Sequence, residues 1–168
     1  MSRVYHLLTL FLRLPAREKA WFMFAWLFSG IVRASLLSIP FRWIAPRLGT
    51  HFNNTQLCAL TTEDKRKLAW RIGKITELAT KYTPWESKCL VQAMVARVLL
   101  GYYKIPYIMH LGVTKTEDPD NLLKAHAWLY VGPWVITGRE GHKQFTVVST
   151  FITPSLLLEL PTGEHSHA

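Results

Sequence analysis

The stretch Trp85-Glu86-Ser87-Lys88-Cys89-Leu90-Val91-Gln92-Ala93-Met94-Val95-Ala96-Arg97-Val98-Leu99-Leu100-Gly101 decides the fold. Residues 90–100 are apolar almost all round, interrupted at Gln92 and Arg97. A helix apolar on every side belongs at the centre of a domain. Ser87 is the expected cap, Cys89 falls in the first turn, and Gly101 stands where the helix should end. Beyond Gly101 the apolar period changes to two, which predicts strands over 105–113, 122–131, 134–137 and 145–150. Gly132-Pro133 makes the turn between the second and third strands, and residues 114–121, with Pro119, form a polar loop. Upstream, Thr62 caps a helix whose apolar face is Leu68, Ile72, Ile75, Ala79 and Tyr82. Glu63 and Asp64 suit its dipole, and Thr83-Pro84 stops it. The pattern is α+β, a central helix packed on an antiparallel sheet.

Two residues on these elements carry chemistry. Cys89, at a helix start, meets the positive end of the dipole, which favours the thiolate, the reactive form. A base must then lie within reach of the sulfur. The strand at 125–131 offers His126. Alternation sends Ala125, Ala127, Leu129 and Val131 to one face and His126, Trp128 and Tyr130 to the other. The small alanines beside His126 let this strand pack closely on the helix that bears Cys89. Cys58, in a loop without a cap, lacks that setting. His110 reads as a satisfied, half-buried strand histidine. His142 follows the third strand and could line a cleft. Trp85, Trp128 and the Tyr102-Tyr103 pair read as packing, with either tryptophan able to wall the cleft. His165 and His167 read as a frayed tail.

Composition excludes several classes. The chain has 168 residues, of which 49% are hydrophobic and 18% charged, too apolar for a disordered chain. Two cysteines cannot staple a disulfide scaffold, and no metal-ligand spacing is present. Twenty Lys and Arg against eleven Asp and Glu give +9, which suits an acidic partner or surface. The basic residues form no single block and no nucleic-acid motif, so nucleic acid is not the expected partner. Residues 20–32, AWFMFAWLFSGIV, are uncharged and apolar between Lys19 and Arg33. They lie in a helix that starts near Pro15 and ends at Ile39-Pro40. Thirteen residues fall short of the roughly 20 that span a bilayer. A buried helix is the first expectation. An interfacial helix is the alternative, with Trp21, Trp26 and Trp43 at headgroup depth and Arg33, Arg42 and Arg47 outside. Residues 20–41 are then the membrane contact of a cytoplasmic protein, since no signal-peptide pattern is seen and reduced thiols are expected. The polar residues 48–61 mark the boundary between an N-terminal apolar helical segment, 1–50, and the rest, 51–168, within one compact unit.

The motif order then adds a resemblance. Trp85-x-x-x-Cys89-Leu90-Val91-Gln92-Ala93, Leu99-Leu100, Leu111-Gly112-Val113 and Ala125-His126-Ala127-Trp128 resemble the lasso-peptide biosynthesis leader peptidases. These form a branch of the transglutaminase-like cysteine proteases. Ile136-Thr137-Gly138 and Phe145-Thr146-Val147-Val148 extend the likeness, which covers residues 80–151 by motif. It implies a transglutaminase- or papain-like core over 51–168, no cofactor, and proteolysis of the leader from a ribosomally made precursor peptide. A separate ATP-dependent, asparagine synthetase-like cyclase would take the freed core. Larger members carry a small leader-recognition module. Here there is no room for one before Thr62, so a separate recognition protein is expected. Carried over, Cys89 attacks the carbonyl, His126 moves the proton, and the Cys89 backbone N–H meets the oxyanion.

The family pattern also expects an acidic acceptor on the strand after His126. Residues 134–138 contain none, and Gly138 falls near the expected place. The imidazole is then held by a backbone or Thr137 oxygen, by Glu140, or by nothing, leaving a dyad. Glu140 is the favoured third member, and Asp118 and Asp120 are further acids in the preceding loop. Two other functions fit the same residues: an acyl or amide transferase, and a catalytically degenerate adaptor that docks precursor and cyclase. A basic membrane-associated protein without a site is the remaining alternative.

Overall fold

A computed structural model describes residues 11–52, 61–116 and 122–153. Cys58, Asp118, Asp120, His165 and His167 lie outside these residues, as does most of the loop expected at 114–121. The chain runs through α1 (Ala16–Ser38), a short α2 (Phe41–Ile44), a 3-10 turn (Ala45–Leu48) and β1 (Thr50–Phe52). It continues through α3 (Glu63–Lys81), α4 (Cys89–Tyr102), β2 (Ile108–Lys115), β3 (Leu123–Val131), β4 (Trp134–Thr137) and β5 (Thr146–Ile152). The five strands make one antiparallel sheet in the order β1-β5-β2-β3-β4. The architecture is therefore the expected mixture of helices and an antiparallel sheet, with an apolar N-terminal helix.

Local sequence explains most boundaries. Thr62 caps α3, its hydroxyl accepting the Lys65 N–H at 3.5 Å. The α1 helix ends at Ser38 because Ile39, before Pro40, is extended at φ −121° and ψ 128°. Two expectations about α4 fail. Ser87 does not cap it: its hydroxyl is 3.0 Å from that of Thr83, Lys88 takes the cap position, and no side chain bonds the first turn. Gly101 does not end it. The helix runs to Tyr102, and Lys104 takes the left-handed turn at φ 51° while the Ile105 N–H bonds the Leu100 carbonyl. Closure by backbone bonds thus fell to a lysine, where a glycine is commoner.

Helix α4 is the core helix. Val91, Ala93, Val95 and Leu100 are buried against Ala127, Leu129 and Val131 of β3. Helix α3 packs on β4 so closely that a Cβ on Gly73 would stand 2.5 Å from the Ile136 carbonyl oxygen. The inner side of α1 (Trp21, Phe22, Ala25, Ser29, Val32) is buried on α3 and α4. Its Glu18 is buried too, in an ion pair with Arg71. The outer side is not covered. Met23, Leu27 and Ile31, at steps of four, are about half exposed at 47%, 56% and 60%. The expected buried helix is therefore half buried.

Candidate active site

Cys89 and His126 line one cavity of about 550 Å³, and Glu140 lines it with them. Four structural pieces meet there. Helix α3 contributes its C-terminal half, with Lys74, Glu77 and Lys81. Helix α4 contributes Cys89 and Gln92, β3 contributes His126, and the turn after β4 contributes Gly138, Arg139 and Glu140. Cys89 is the first helical residue of α4, a free and half-buried thiol. With no side chain capping that turn, its leading N–H groups have no cap to satisfy them, and the helix end attracts negative charge.

Elements far apart in sequence hold the approach to Cys89. Trp85 packs against Trp26 of α1 with the rings tilted by 56°, and donates from Nε1 to the Ser29 hydroxyl at 3.0 Å. Glu86 pairs with Arg33 at 3.0 Å and with Lys88 at 2.7 Å. Gln92 donates back to the Ser87 carbonyl at 3.2 Å. The peptide leading into the cysteine is thus fastened to α1 on one side and to its own helix on the other.

His126 is oriented by a backbone group. Its Nε2–H donates to the Gly138 carbonyl at 2.8 Å. A carbonyl can only accept, so this bond assigns the proton to Nε2 and leaves Nδ1 as the basic nitrogen. The ring is also stacked on Phe145, with centroids 4.9 Å apart and planes 29° from parallel, and on Trp128 at 5.8 Å. Gly138 reaches this place through a left-handed turn at φ 70°, tight over the Ala127 carbonyl. Among the described residues no hydrogen bond joins the Cys89 thiol to the imidazole. A substrate carbonyl has to enter between the two groups that line the cavity, and such bonds commonly tighten only in the complex.

The other sequence candidates fall as follows. Glu140, favoured as the third member, is exposed at the cavity, while the bond to the ring comes from Gly138. Thr137 is fully buried and its hydroxyl has no partner among the described residues, so it does not hold the imidazole. His110 is buried, 2.9 Å from the Thr150 hydroxyl, and burial pushes its pKa below the usual imidazole value. His142 does not line the Cys89 cavity. It sits in the neighbouring groove, with Nδ1 2.7 Å from the Arg139 carbonyl. Trp128 is buried although it lies on the outer face of β3, because His110 and His142 fold against its ring. Tyr103 packs on Trp21 as expected, whereas Tyr102 is 78% exposed. Arg139 carried no sequence signal and Phe145 only its place in a motif run: one lies in a turn and the other just before β5, and only the return of the chain brings them to the site.

A core helix that begins with a cysteine, packed on an antiparallel sheet that carries a histidine, defines a thiol-centred α+β domain. The chain belongs to the transglutaminase-like superfamily, whose match covers residues 35–150 and so takes in α4, β3 and β4. No curated protein and no solved structure matches the chain significantly. The superfamily is compatible with both cysteine peptidases and acyl transferases.

Proposed function

We propose that this protein is a cysteine peptidase that removes the leader from a ribosomally made lasso-peptide precursor. The observation that carries the reading is the shared cavity of Cys89, at the uncapped start of the core helix, and His126, whose Nε2 is bonded and whose Nδ1 is free to take a proton. The thiol proton moves to Nδ1 and the sulfur attacks the scissile carbonyl. The oxyanion is met by N–H groups at the start of α4. Collapse of the intermediate passes the proton to the leaving amine and leaves a thioester on Cys89, which water then cleaves with His126 as base. The Gly138 carbonyl holds the imidazole in the right tautomer, and Glu140, in the same cavity, supplies the negative charge that steadies the imidazolium. A separate recognition protein presents the leader, and an ATP-dependent, asparagine synthetase-like cyclase takes the freed core.

A mass-spectrometric assay with the precursor and its recognition protein, with and without an added primary amine, tests this. Cleavage at one peptide bond giving a new carboxylate is expected. An amide of the added amine in place of the acid would identify a transferase. An uncut precursor, with the protein folded and the recognition protein bound, would identify an adaptor.

We also propose that the protein works in the cytoplasm against an anionic membrane. The α1 helix is long and apolar enough to cross a bilayer, but its inner side is packed against α3 and α4. The exposed side suits the interface instead. Trp43 is 62% exposed beyond it, the exposed Arg13, Arg42 and Arg47 flank it, and its one acid, Glu18, is buried. Sedimentation with phosphatidylglycerol vesicles should pull the protein down, while phosphatidylcholine vesicles should not. Leu27→Glu should reduce the bound fraction at least about tenfold. Equal binding to both vesicles, or none, overturns this.

A further inference from the structure

A second and larger hollow, about 1070 Å³, lies beside the Cys89 cavity, and Arg139 lines both. Its walls are aromatic. Trp70 of α3 and Trp134 of β4 meet edge to face at 5.9 Å, with Tyr130 beside them. Among the described residues its charged lining is all basic, with no carboxylate. Arg71 pairs with the buried Glu18, whereas Lys67 meets Glu63 only through an exposed, solvent-screened contact that leaves its charge available to a ligand. Arg139 and Lys143 have no carboxylate partner among the described residues. Arg139 is held ready: its guanidinium lies 4.1 Å from the centre of the Trp70 ring and donates to the Val135 carbonyl at 3.2 Å. Strand β4 is an edge of the sheet, but a peptide cannot simply add to it. The Val135 carbonyl is taken by Arg139, and that of Ile136 is closed off by Gly73. Recognition here must therefore use side chains: an apolar anchor against the indoles and acidic groups toward Arg139 and Lys143.

We infer that this groove binds an acidic stretch, with an aliphatic or aromatic anchor, of the same peptide whose bond is cut at Cys89. The inference rests on the peptidase reading for the identity of the peptide, and on charge complementarity and the shared Arg139 for its place. Occupied, the groove holds the substrate next to the catalytic cavity, which raises the effective concentration of the scissile bond there.

Binding can be read without cleavage. The full chain carrying Cys89→Ala is titrated with a fluorescein-labelled peptide of Glu and Leu, and with its counterpart in which every Glu is Gln. The acidic peptide should bind at least about tenfold more tightly and weaken with salt. Lys143→Glu and Lys67→Glu, both at exposed positions, should each weaken it several-fold, and together about tenfold or more. With the protein otherwise unaltered, the same pair should raise KM for the precursor and leave kcat unchanged. Equal affinity for the two peptides, or affinity indifferent to both charge reversals, overturns the inference. So does competition by inorganic phosphate or an oligonucleotide as strong as that by the peptide, since the groove would then be a general anion site. Acidic-peptide binding that is lost in the double variant upholds it even where no cleavage occurs, and in that case the peptidase reading alone falls.

Discussion

Cys89→Ala should lower leader release by at least about 10³-fold while leaving thermal stability within about 1 kcal/mol of the parent. The thiol is half buried at a helix start, and the alanine that replaces it is the best helix former, so little packing or propensity is lost. The chemistry is another matter. Without the sulfur there is no thioester, and water must attack directly in a site built to deliver a thiolate. His126→Ala should fall to a similar rate, because the base and the nucleophile act as one unit. The double variant should then be no slower than either single one. Quantitative mass spectrometry of the leader fragment, alongside thermal denaturation, separates the two effects. Undiminished release from folded Cys89→Ala protein would sink the catalytic assignment.

Gly138→Ala should damage both stability and rate. At φ 70° an alanine pays the left-handed penalty of roughly 1–2 kcal/mol. Its Cβ would also be driven into the Ala127 carbonyl oxygen, with the Trp128 Cα only 3.0 Å away. The turn has to move, and the total cost should reach about 2–4 kcal/mol. Because the same residue supplies the carbonyl that holds His126 at 2.8 Å, the imidazole loses its orientation as well. A loss of rate of roughly a hundredfold or more is expected, beyond what the unfolded fraction explains. Gly138→Asp should not rescue it, since a carboxylate there needs the same Cβ. Glu140→Gln is the contrast. Glu140 is exposed at the cavity, so the change should leave stability alone and slow release by no more than about tenfold. Circular dichroism melts and single-turnover rates decide between these outcomes. A Gly138→Ala protein with parental rate and stability would show that the carbonyl does nothing for His126.

Several features were legible in the chain itself. The all-round apolar residues 90–100 fix α4 at the centre, and their order places Cys89 in its first turn, because a helix period is local and needs no partner. The alternation around His126 likewise assigns Ala127, Leu129 and Val131 to the core. Thr62 and Pro40 act on neighbouring backbone and mark the start of α3 and the end of α1 as read. What failed was decided by partners outside each element's own pattern, one of them near and the others distant. Ser87 looks like a cap until Thr83 takes its hydroxyl. The three-residue β1, read as loop, is a strand only because β5 is there to pair with it. Apolar composition alone says residues 20–32 are inside, yet α3 and α4 cover only one side of that helix.

The partner of His126 marks the division most sharply. The sequence allows a backbone oxygen, Thr137 or Glu140 and cannot choose among them, because a backbone carbonyl carries no sequence signature. Every residue has one, and only the left-handed turn at Gly138, packed over β3, aims this one at Nε2. The sequence by itself determined the secondary structure that brings a thiol to a helix start and an imidazole to a strand, through periodicity and capping that act over a few residues. The tertiary structure alone decided that the two share a cavity, which oxygen orients the ring, and that a basic aromatic groove opens beside them. Those are relations between residues from 12 apart, as for His126 and Gly138, to several dozen apart, set by which faces pack together once the apolar ones are buried.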